Sequence, residues 1–68
     1  SELELAIMHG KQLIIHYNNG MDKQPIRKTI KPVDIITKKN TGEFLLCTDD
    51  LDNMLEIRLD FIQNYTLY

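Results

Sequence analysis

The segment "IRKTIKPVDII", residues 26–36, places a proline inside a β-strand pattern. Ile26, Lys28 and Ile30 share one face and the residues between them share the other, which is the alternation of a half-buried strand. Pro32 cannot donate a hydrogen bond to a neighbouring strand. The segment therefore predicts one long strand with an edge position, a bulge or a sharp bend at Pro32.

Further strands are predicted on both sides of this segment. β-Branched and aromatic residues favour strands, and the clusters of Asn, Asp, Gly and Pro between the apolar runs are typical of turns. The predicted strands are "KQLIIHY" at 11–17 before the segment, and "EFLLCT" at 43–48, "MLEIRLD" at 54–60 and "QNYTLY" at 63–68 after it. The nearly continuous apolar run in "EFLLCT" indicates a central strand.

A short helix is predicted at the N-terminus. Ser1 stands at the N-cap position of a capping box, and Gly10 is a favourable residue for ending a helix. Leu3, Ala6 and Ile7 fall on one face between these two positions. A helix this short is not stable alone, so we expect it to dock on the strands.

One helix followed by five strands with short connections predicts a mainly β domain that spans residues 1–68. Closing the strands into a small five-stranded SH3-like or Sm-like barrel removes exposed sheet edges, so we expect this architecture. The predicted core residues are Leu5, Ile7, Leu13, Ile15, Tyr17, Ile30, Leu45, Leu46, Leu55, Ile57, Leu59 and Ile62.

The stretch "EIRLDFI", residues 56–62, breaks its alternation with two adjacent apolar residues, Phe61 and Ile62. A tight helical turn after Asp60 would let both apolar residues plug one end of the barrel. Asp60 is a favourable N-cap residue, so we expect it to cap that turn.

Composition narrows the cellular setting. The single cysteine, Cys47, rules out an internal disulfide, which favours a reducing, cytoplasmic environment. The chain lacks an apolar run of the roughly 18 residues that a membrane helix needs, so no membrane partner is expected. The abrupt start and stop of the pattern predict a domain that belongs to a longer protein.

No catalytic or cofactor motif is visible. The three glycines are isolated and the cysteine is unpaired, so neither a phosphate-binding loop nor a paired-cysteine zinc site is present. His9 and His16 make a weak metal pair, and Cys47 in an apolar strand is expected to be a small core residue. The acidic run at 49–52 is expected to be a solvated turn. We therefore predict a non-enzymatic chain without a cofactor.

Five of the eight basic residues fall between positions 27 and 39: Arg27, Lys28, Lys31, Lys38 and Lys39. On a shared face they would make a positive surface although the net charge is −2. Lysines are also common at strand edges, where they discourage aggregation. The sequence leaves both interpretations open.

The ordered set "LAIMHGKQLIIHY", "KTIKP", "GEFLLC" and "EIRLDFI" resembles the WYL domain family of bacteria. Members of that family typically show a short helix, a strand of the type "x-I-x-Y", a segment like "R-x-V-x-P", a Trp-Tyr-Leu tripeptide and then "F-R-L-D-R-I". The resemblance covers nearly the whole chain. The positions that correspond to these motifs are Ile15, Tyr17, Lys28, Ile30, Pro32, Glu43, Phe44, Leu45, Arg58, Leu59, Asp60 and Ile62.

Three of the motif positions differ from the family. Glu43 stands in place of Trp, Lys28 in place of Arg, and Phe61 in place of the final Arg. The changes at Glu43 and Phe61 remove an aromatic residue and an arginine from the basic and aromatic surface on which the family is thought to bind ligands.

The resemblance implies a non-catalytic sensor module, within a bacterial regulator, helicase or nuclease, that binds a nucleotide, single-stranded nucleic acid or another anionic ligand. Lys28 and Lys31 would neutralise phosphates, Arg58 would offer a planar fork, and Tyr17 would stack on a base. The expected partners are that ligand, the rest of the parent protein and a second copy in a homodimer.

Two alternatives stay open. The chain also resembles, less closely, the Rho-binding antiterminator proteins, which are small Sm-like barrels with a strand of the type "LRLDKI". Alternatively, the barrel is a structural or protein-interaction domain whose ligand surface has decayed. Arg58 would then only pair with Glu56, Asp60 or an acid on a neighbouring strand.

Overall fold

The computed structural model describes residues 2–18, 20–21 and 24–67, and it contains one short helix and one five-stranded antiparallel sheet. Its elements in chain order are α1 (Glu2–His9), β1 (Leu13–Tyr17), β2 (Ile26–Lys38), β3 (Gly42–Thr48), β4 (Met54–Arg58), the 3₁₀ turn η1 (Leu59–Phe61) and β5 (Ile62–Leu67). The strand order is β4-β3-β2-β1-β5. The predicted mainly β class, the five strands and the N-terminal helix are confirmed.

β2 is the strand that joins the two halves of the sheet. Its first part, Ile26 to Ile30, pairs with β1. Its second part, Lys31 to Lys38, pairs with β3. The register with β3 shifts between Pro32 and Asp34, so Val33 is the extra residue of a β-bulge. Of the three features predicted for Pro32, the structure therefore has the bulge.

The C-terminal end of α1 is closed by Gly10. Gly10 has a φ of +63°, and its N–H donates to the Ile7 carbonyl at 3.3 Å. The Lys11 N–H donates to the Ala6 carbonyl at 2.9 Å, which completes a Schellman motif. The predicted stop at Gly10 is confirmed, whereas the predicted cap at Ser1 lies outside the described residues.

An apolar core lies between α1 and the inner face of the sheet. Its buried members are Leu3, Ala6, Leu13, Ile15, Ile30, Leu45, Cys47 and Ile57. The predicted core residues that are half-buried against this core are Ile7, Tyr17, Leu55, Leu59 and Ile62. The alternation of β1, β3 and β4 explains most of this placement, because every second residue of a strand faces the same side.

Two predicted core residues are placed differently. Leu5 is 53% exposed, because Leu3 and Ala6 define the buried stripe of α1 and Leu5 lies outside it. Leu46 lies between Leu45 and Cys47, so its side chain points to the outer face of β3 and is only half-buried. The prediction of Leu5 as a core residue was therefore wrong.

The alternation of β4 ends in a helical turn, as expected, but its details differ. η1 includes Asp60, and the N-cap position is held by Arg58 without a side-chain hydrogen bond, so the predicted cap role of Asp60 was wrong. Ile62 packs against the core, whereas Phe61 is 37% exposed and does not plug it. The short 3₁₀ turn rotates Phe61 outward, since consecutive residues of such a turn point in different directions.

The ends of the strand order are β4 and β5, so β3 is a central strand as predicted. Among the described strands, no ladder joins β4 to β5. The described part of the chain contains no helix with the length and apolar character needed to cross a bilayer.

The turn between β3 and β4 is organised by Asp49. Its carboxylate accepts hydrogen bonds from the Leu51 N–H at 2.9 Å, the Asn53 N–H at 2.8 Å and the Asn53 side-chain amide at 3.2 Å. The Asp52 N–H donates to the Asp49 carbonyl at 3.1 Å, and Asp52 adopts a φ of +63°. The acidic run is therefore a hydrogen-bonded turn.

We expect Ile57→Ala to lower the free energy of unfolding by ~2–5 kcal/mol, because it leaves a cavity in a core that has few other residues to close it. Ile57 is only 6% exposed and faces the core from β4, whereas Met54 on the same strand is 57% exposed. Met54→Ala is therefore the matched control. Urea unfolding of both variants checks the placement, and a loss below ~1 kcal/mol for Ile57→Ala would contradict it.

We expect Asp49→Asn to change how the free energy of unfolding depends on pH in the acidic range. Hydrogen bonds, first of all from the Asn53 backbone, lower the pKa of Asp49 in the folded state. The stabilisation by the charged form is therefore complete above the unfolded-state pKa, near ~4, and is lost as the pH falls through the folded-state pKa. Asp50→Asn, which removes the same charge without touching these bonds, is the control.

The measurement is the midpoint of urea unfolding at a series of pH values from neutral to strongly acidic. The stability difference between the original chain and Asp49→Asn should be constant at neutral pH and should shrink below pH ~4. A difference that does not change with pH would show that the carboxylate charge does not stabilise this turn.

Candidate functional site

A cavity of about 310 Å³ lies along β4 where that strand approaches the end of β1 and η1. Four consecutive residues of β4 border it. Successive strand residues point to opposite faces, so a cavity that touches all four runs along the backbone edge of the strand. The lining residues are Tyr17, Phe44, Leu55, Glu56, Ile57, Arg58 and Phe61.

Arg58 is fixed in this cavity by Asp60. Its Nε donates to Asp60 Oδ1 at 3.0 Å, and its Nη2 donates to Asp60 Oδ2 at 2.9 Å. These hydrogen bonds raise the pKa of Arg58 and lower the pKa of Asp60. The bidentate geometry holds the guanidinium plane in one orientation.

Two phenylalanine rings lie near the guanidinium group. The Arg58 Cζ lies 5.2 Å from the centre of the Phe61 ring and 6.0 Å from the centre of the Phe44 ring, and Phe44 is directly opposite Arg58 across the β3–β4 ladder. The Lys38 Nζ lies 4.7 Å from the Phe44 ring and forms an ion pair with Glu56. The contacts of Arg58 and Lys38 with the phenylalanine rings are cation–π interactions.

We refer to Lys38, Phe44, Glu56, Arg58, Asp60 and Phe61 as the Arg58 cluster. Each of its two cations is paired with a carboxylate, so the cluster is close to neutral. The pairs are solvent-accessible, with the Arg58 side chain 35% and the Asp60 side chain 61% exposed. These ion pairs therefore orient the Lys38 and Arg58 side chains, and they contribute little to the free energy of unfolding.

The structure brings two of the four predicted ligand residues together, because Tyr17 and Arg58 line the same cavity. Lys28 is not a lining residue of this cavity. It is half-buried on β2, directly opposite Ile15 of β1.

Lys31 lies in a different place. A Cβ atom on Gly10 would be 3.6 Å from the Lys31 Cε, so this lysine is beside the C-terminal end of α1. A cation there interacts favourably with the helix dipole. Lys31 is not among the residues that line the cavity.

The five basic residues do not form one face. Arg27 is exposed and Lys28 is half-buried, because adjacent residues of β2 point to opposite sides of the sheet. Lys38 contacts Glu56 and Phe44 on the outer face of the sheet formed by β2, β3 and β4. The positive charges are therefore distributed around the domain.

The pair of Arg58 with Asp60 is one of the pairings that the sequence predicts for Arg58. The sequence does not predict the contacts of Arg58 with Phe44 and Phe61, since Phe44 only matches a family motif and Phe61 is expected in the interior. The contact of Phe44 with Arg58 depends on their register, which is set by the length of the turn that Asp49 organises. Alternation on β4 does place Glu56 and Arg58 on the outer face, which was the available signal.

Nucleophilic and metal-binding groups are not assembled elsewhere in the described residues. Cys47 is fully buried, and burial raises the pKa of its thiol to about 11. No group of three or more His, Cys, Asp or Glu side chains in the described part of the chain is placed to hold a metal ion. The His16 Nδ1 is a buried nitrogen without a hydrogen-bond partner there.

Comparisons with protein-family models, with curated proteins and with solved structures found no match to this chain. The resemblance to the WYL domain family therefore rests on the motifs alone and stays a prediction.

We expect the Cys47 thiol to react slowly with a thiol reagent while the chain is folded. At a pH below the ordinary value of 9.0, a rise of the pKa to about 11 lowers the thiolate fraction about a hundredfold, and burial adds a steric barrier. The reaction of the native chain with an aromatic disulfide, compared with the chain in urea, measures this. Native reactivity equal to that of the unfolded chain would contradict the placement.

Proposed function

We propose that this chain is a non-catalytic regulatory or sensor module that binds a nucleotide or single-stranded nucleic acid in the Tyr17–Arg58 cavity. The observation that carries the proposal is the Arg58 guanidinium, which Asp60 holds within cation–π distance of two phenylalanine rings in a cavity that Tyr17 also lines. The proposal places the chain in a bacterial, cytoplasmic regulator, helicase or nuclease as a divergent WYL domain.

The proposed architecture is an SH3-like or Sm-like barrel. β4 and β5 lie at opposite ends of the strand order, yet the three residues of η1 connect them. A 3₁₀ turn rises ~2 Å per residue, so the two edge strands meet within about 6 Å at this end. A flat sheet of five strands cannot bring its edges this close, so strong curvature supports the barrel.

Stacking is the main attraction offered to a base. Tyr17 and Phe61 are aromatic lining residues of the cavity, and the Arg58 guanidinium is itself a flat group on which a base can stack. The exposed backbone edge of β4 adds N–H and C=O groups that can pair with the edge of a base. Both contributions suit a planar, polar ligand of the size of a nucleotide base.

Phosphate binding contributes less than stacking in this proposal. Arg58 uses its Nε and Nη2 on Asp60, so its Nη1 is the group that reaches a phosphate. The proposal assigns a second positive charge to Lys28, which is half-buried on β2. Because only two cations are available, the affinity should decrease with rising salt concentration with the slope expected for about one or two phosphate contacts.

We expect titration with short single-stranded oligonucleotides and with free nucleotides to show binding that weakens moderately with salt. Tyr17→Ala and Phe61→Ala should each cost ~1–3 kcal/mol of binding free energy, the usual loss of one stacking contact. Arg58→Ala should remove binding and Lys28→Ala should flatten the salt dependence by about one contact. Fluorescence anisotropy at two salt concentrations measures all of these.

Lys31→Ala is the matched control, because Lys31 carries the same charge beside α1 and away from the lining residues. Its affinity and salt dependence should equal those of the original chain. The proposal fails if no binding appears at low salt, or if Arg58→Ala and Lys31→Ala have equal effects.

A structural or protein-interaction role is the second candidate. It is favoured by the ion pairs of the Arg58 cluster, which already satisfy both of its cations, and by the position of β4 at one end of the described strands. Because these charges are paired within the chain, they deter the addition of another strand less than unpaired charges would. Sedimentation that shows a concentration-dependent homodimer, together with no oligonucleotide binding, would favour this role.

A further inference from the structure

A second groove, of about 500 Å³, lies between α1 and the second part of β2. Half of its lining is apolar and half is acidic, and no basic residue is among the lining residues of the described chain. They are Glu4, Ile7, Met8, Asp34, Ile35 and Glu43. None of them lines the Tyr17–Arg58 cavity, although Glu43 also borders a smaller cavity together with Arg58 and Asp60.

The apolar part of the groove is a short strip made by two elements. Ile7 on α1 and Ile35 on β2 are half-buried against the core and form its floor. Met8 follows Ile7 and is 74% exposed, which leaves a long, flexible apolar side chain in water at the rim. Methionine adapts readily to different partner shapes, so it is well suited to a contact surface.

The carboxylates of Asp34 and Glu43 lie at the border of the groove. The Val33 bulge of β2 precedes the first of them. The Asp34 carboxylate accepts a hydrogen bond from the Ile35 N–H at 2.8 Å. This bond orients the carboxylate at the surface. Glu43 enters from the start of β3, opposite Thr37 of β2. Both acids are exposed at the border of the apolar floor.

The charge of the groove differs from that of the rest of the chain. It holds three carboxylates, whereas the whole chain has a net charge of −2, so the remaining residues are net positive. An apolar strip with an acidic border is complementary to a partner that carries apolar residues within a basic surface. Repulsion makes an acidic partner unfavourable here.

We propose that this groove binds a basic amphipathic helix of a partner protein. Glu4 and Met8 are four residues apart on α1 and therefore form one ridge, beside which a second helix can pack. One or two large apolar side chains of the partner would occupy the groove over Ile7 and Ile35, and its Lys or Arg residues would face Asp34 and Glu43. This is the helix-in-groove mode of recognition.

The test uses a synthetic amphipathic peptide with Leu at helical spacing and Lys and Arg at the remaining positions, labelled for fluorescence anisotropy. Two further peptides, one with the same composition in scrambled order and one with Glu in place of the basic residues, are measured beside it. The proposal expects the ordered basic peptide to bind on the order of tenfold more tightly than either. Equal binding of the scrambled peptide would overturn it.

Variants of the chain localise the contact. The double variant D34N/E43Q and the single variant Met8→Ser should each weaken binding of the ordered peptide on the order of tenfold. D50N/D52N removes two acidic charges from the β3–β4 turn and should leave binding unchanged. All of these positions are exposed, and circular dichroism confirms that each variant is folded.

Equal losses in D34N/E43Q and D50N/D52N would show a general charge effect and overturn the proposal. An unchanged affinity in Met8→Ser would remove the apolar part of the contact and would also overturn it. The oligonucleotide titration described above uses the other cavity, so each proposal can fail without the other.

Discussion

The bulge in β2 is the constraint on which the rest of the structure depends. A β-bulge bends the strand that contains it, and the Val33 bulge lies where β2 passes from the β1 ladder to the β3 ladder. β4 and β5 stand at opposite ends of the strand order, yet only the three residues of η1 join them. The groove beside α1 is lined in part by Asp34 and Ile35, which follow the bulge directly.

The candidate site combines side chains from three parts of the chain that share no local pattern. Tyr17 ends β1, Phe44 is central in β3, and Arg58 ends β4. The Asp49 turn sets the register that places Phe44 beside Arg58, and η1 returns the chain so that Asp60 and Phe61 meet the same guanidinium. Ion pairs at exposed positions contribute little stability, so the main effect of this arrangement is to orient Arg58.

The sequence predicted the features that local chemistry controls. Alternation identified the strands and the buried residues of β1 and β4, Gly10 marked the end of α1, and Pro32 marked the bulge. The features it missed depend on rotation and register. Leu5 differs from Leu3 only by its angle around a short helix, and a few residues of 3₁₀ turn decide whether Phe61 faces inward. Tyr17 and Arg58 were found through the family resemblance, whereas their cavity neighbours Phe44 and Phe61 required the strand register.

β2 also determines how the domain can come apart. Because one continuous strand supplies hydrogen bonds to both β1 and β3, neither half of the sheet is an independent folding unit. Loss of the β1 ladder frees the first part of β2 and removes the support of the second part, so local opening should spread across the bulge. The amide protons of β1 and β3 should therefore exchange with solvent through one common, global opening.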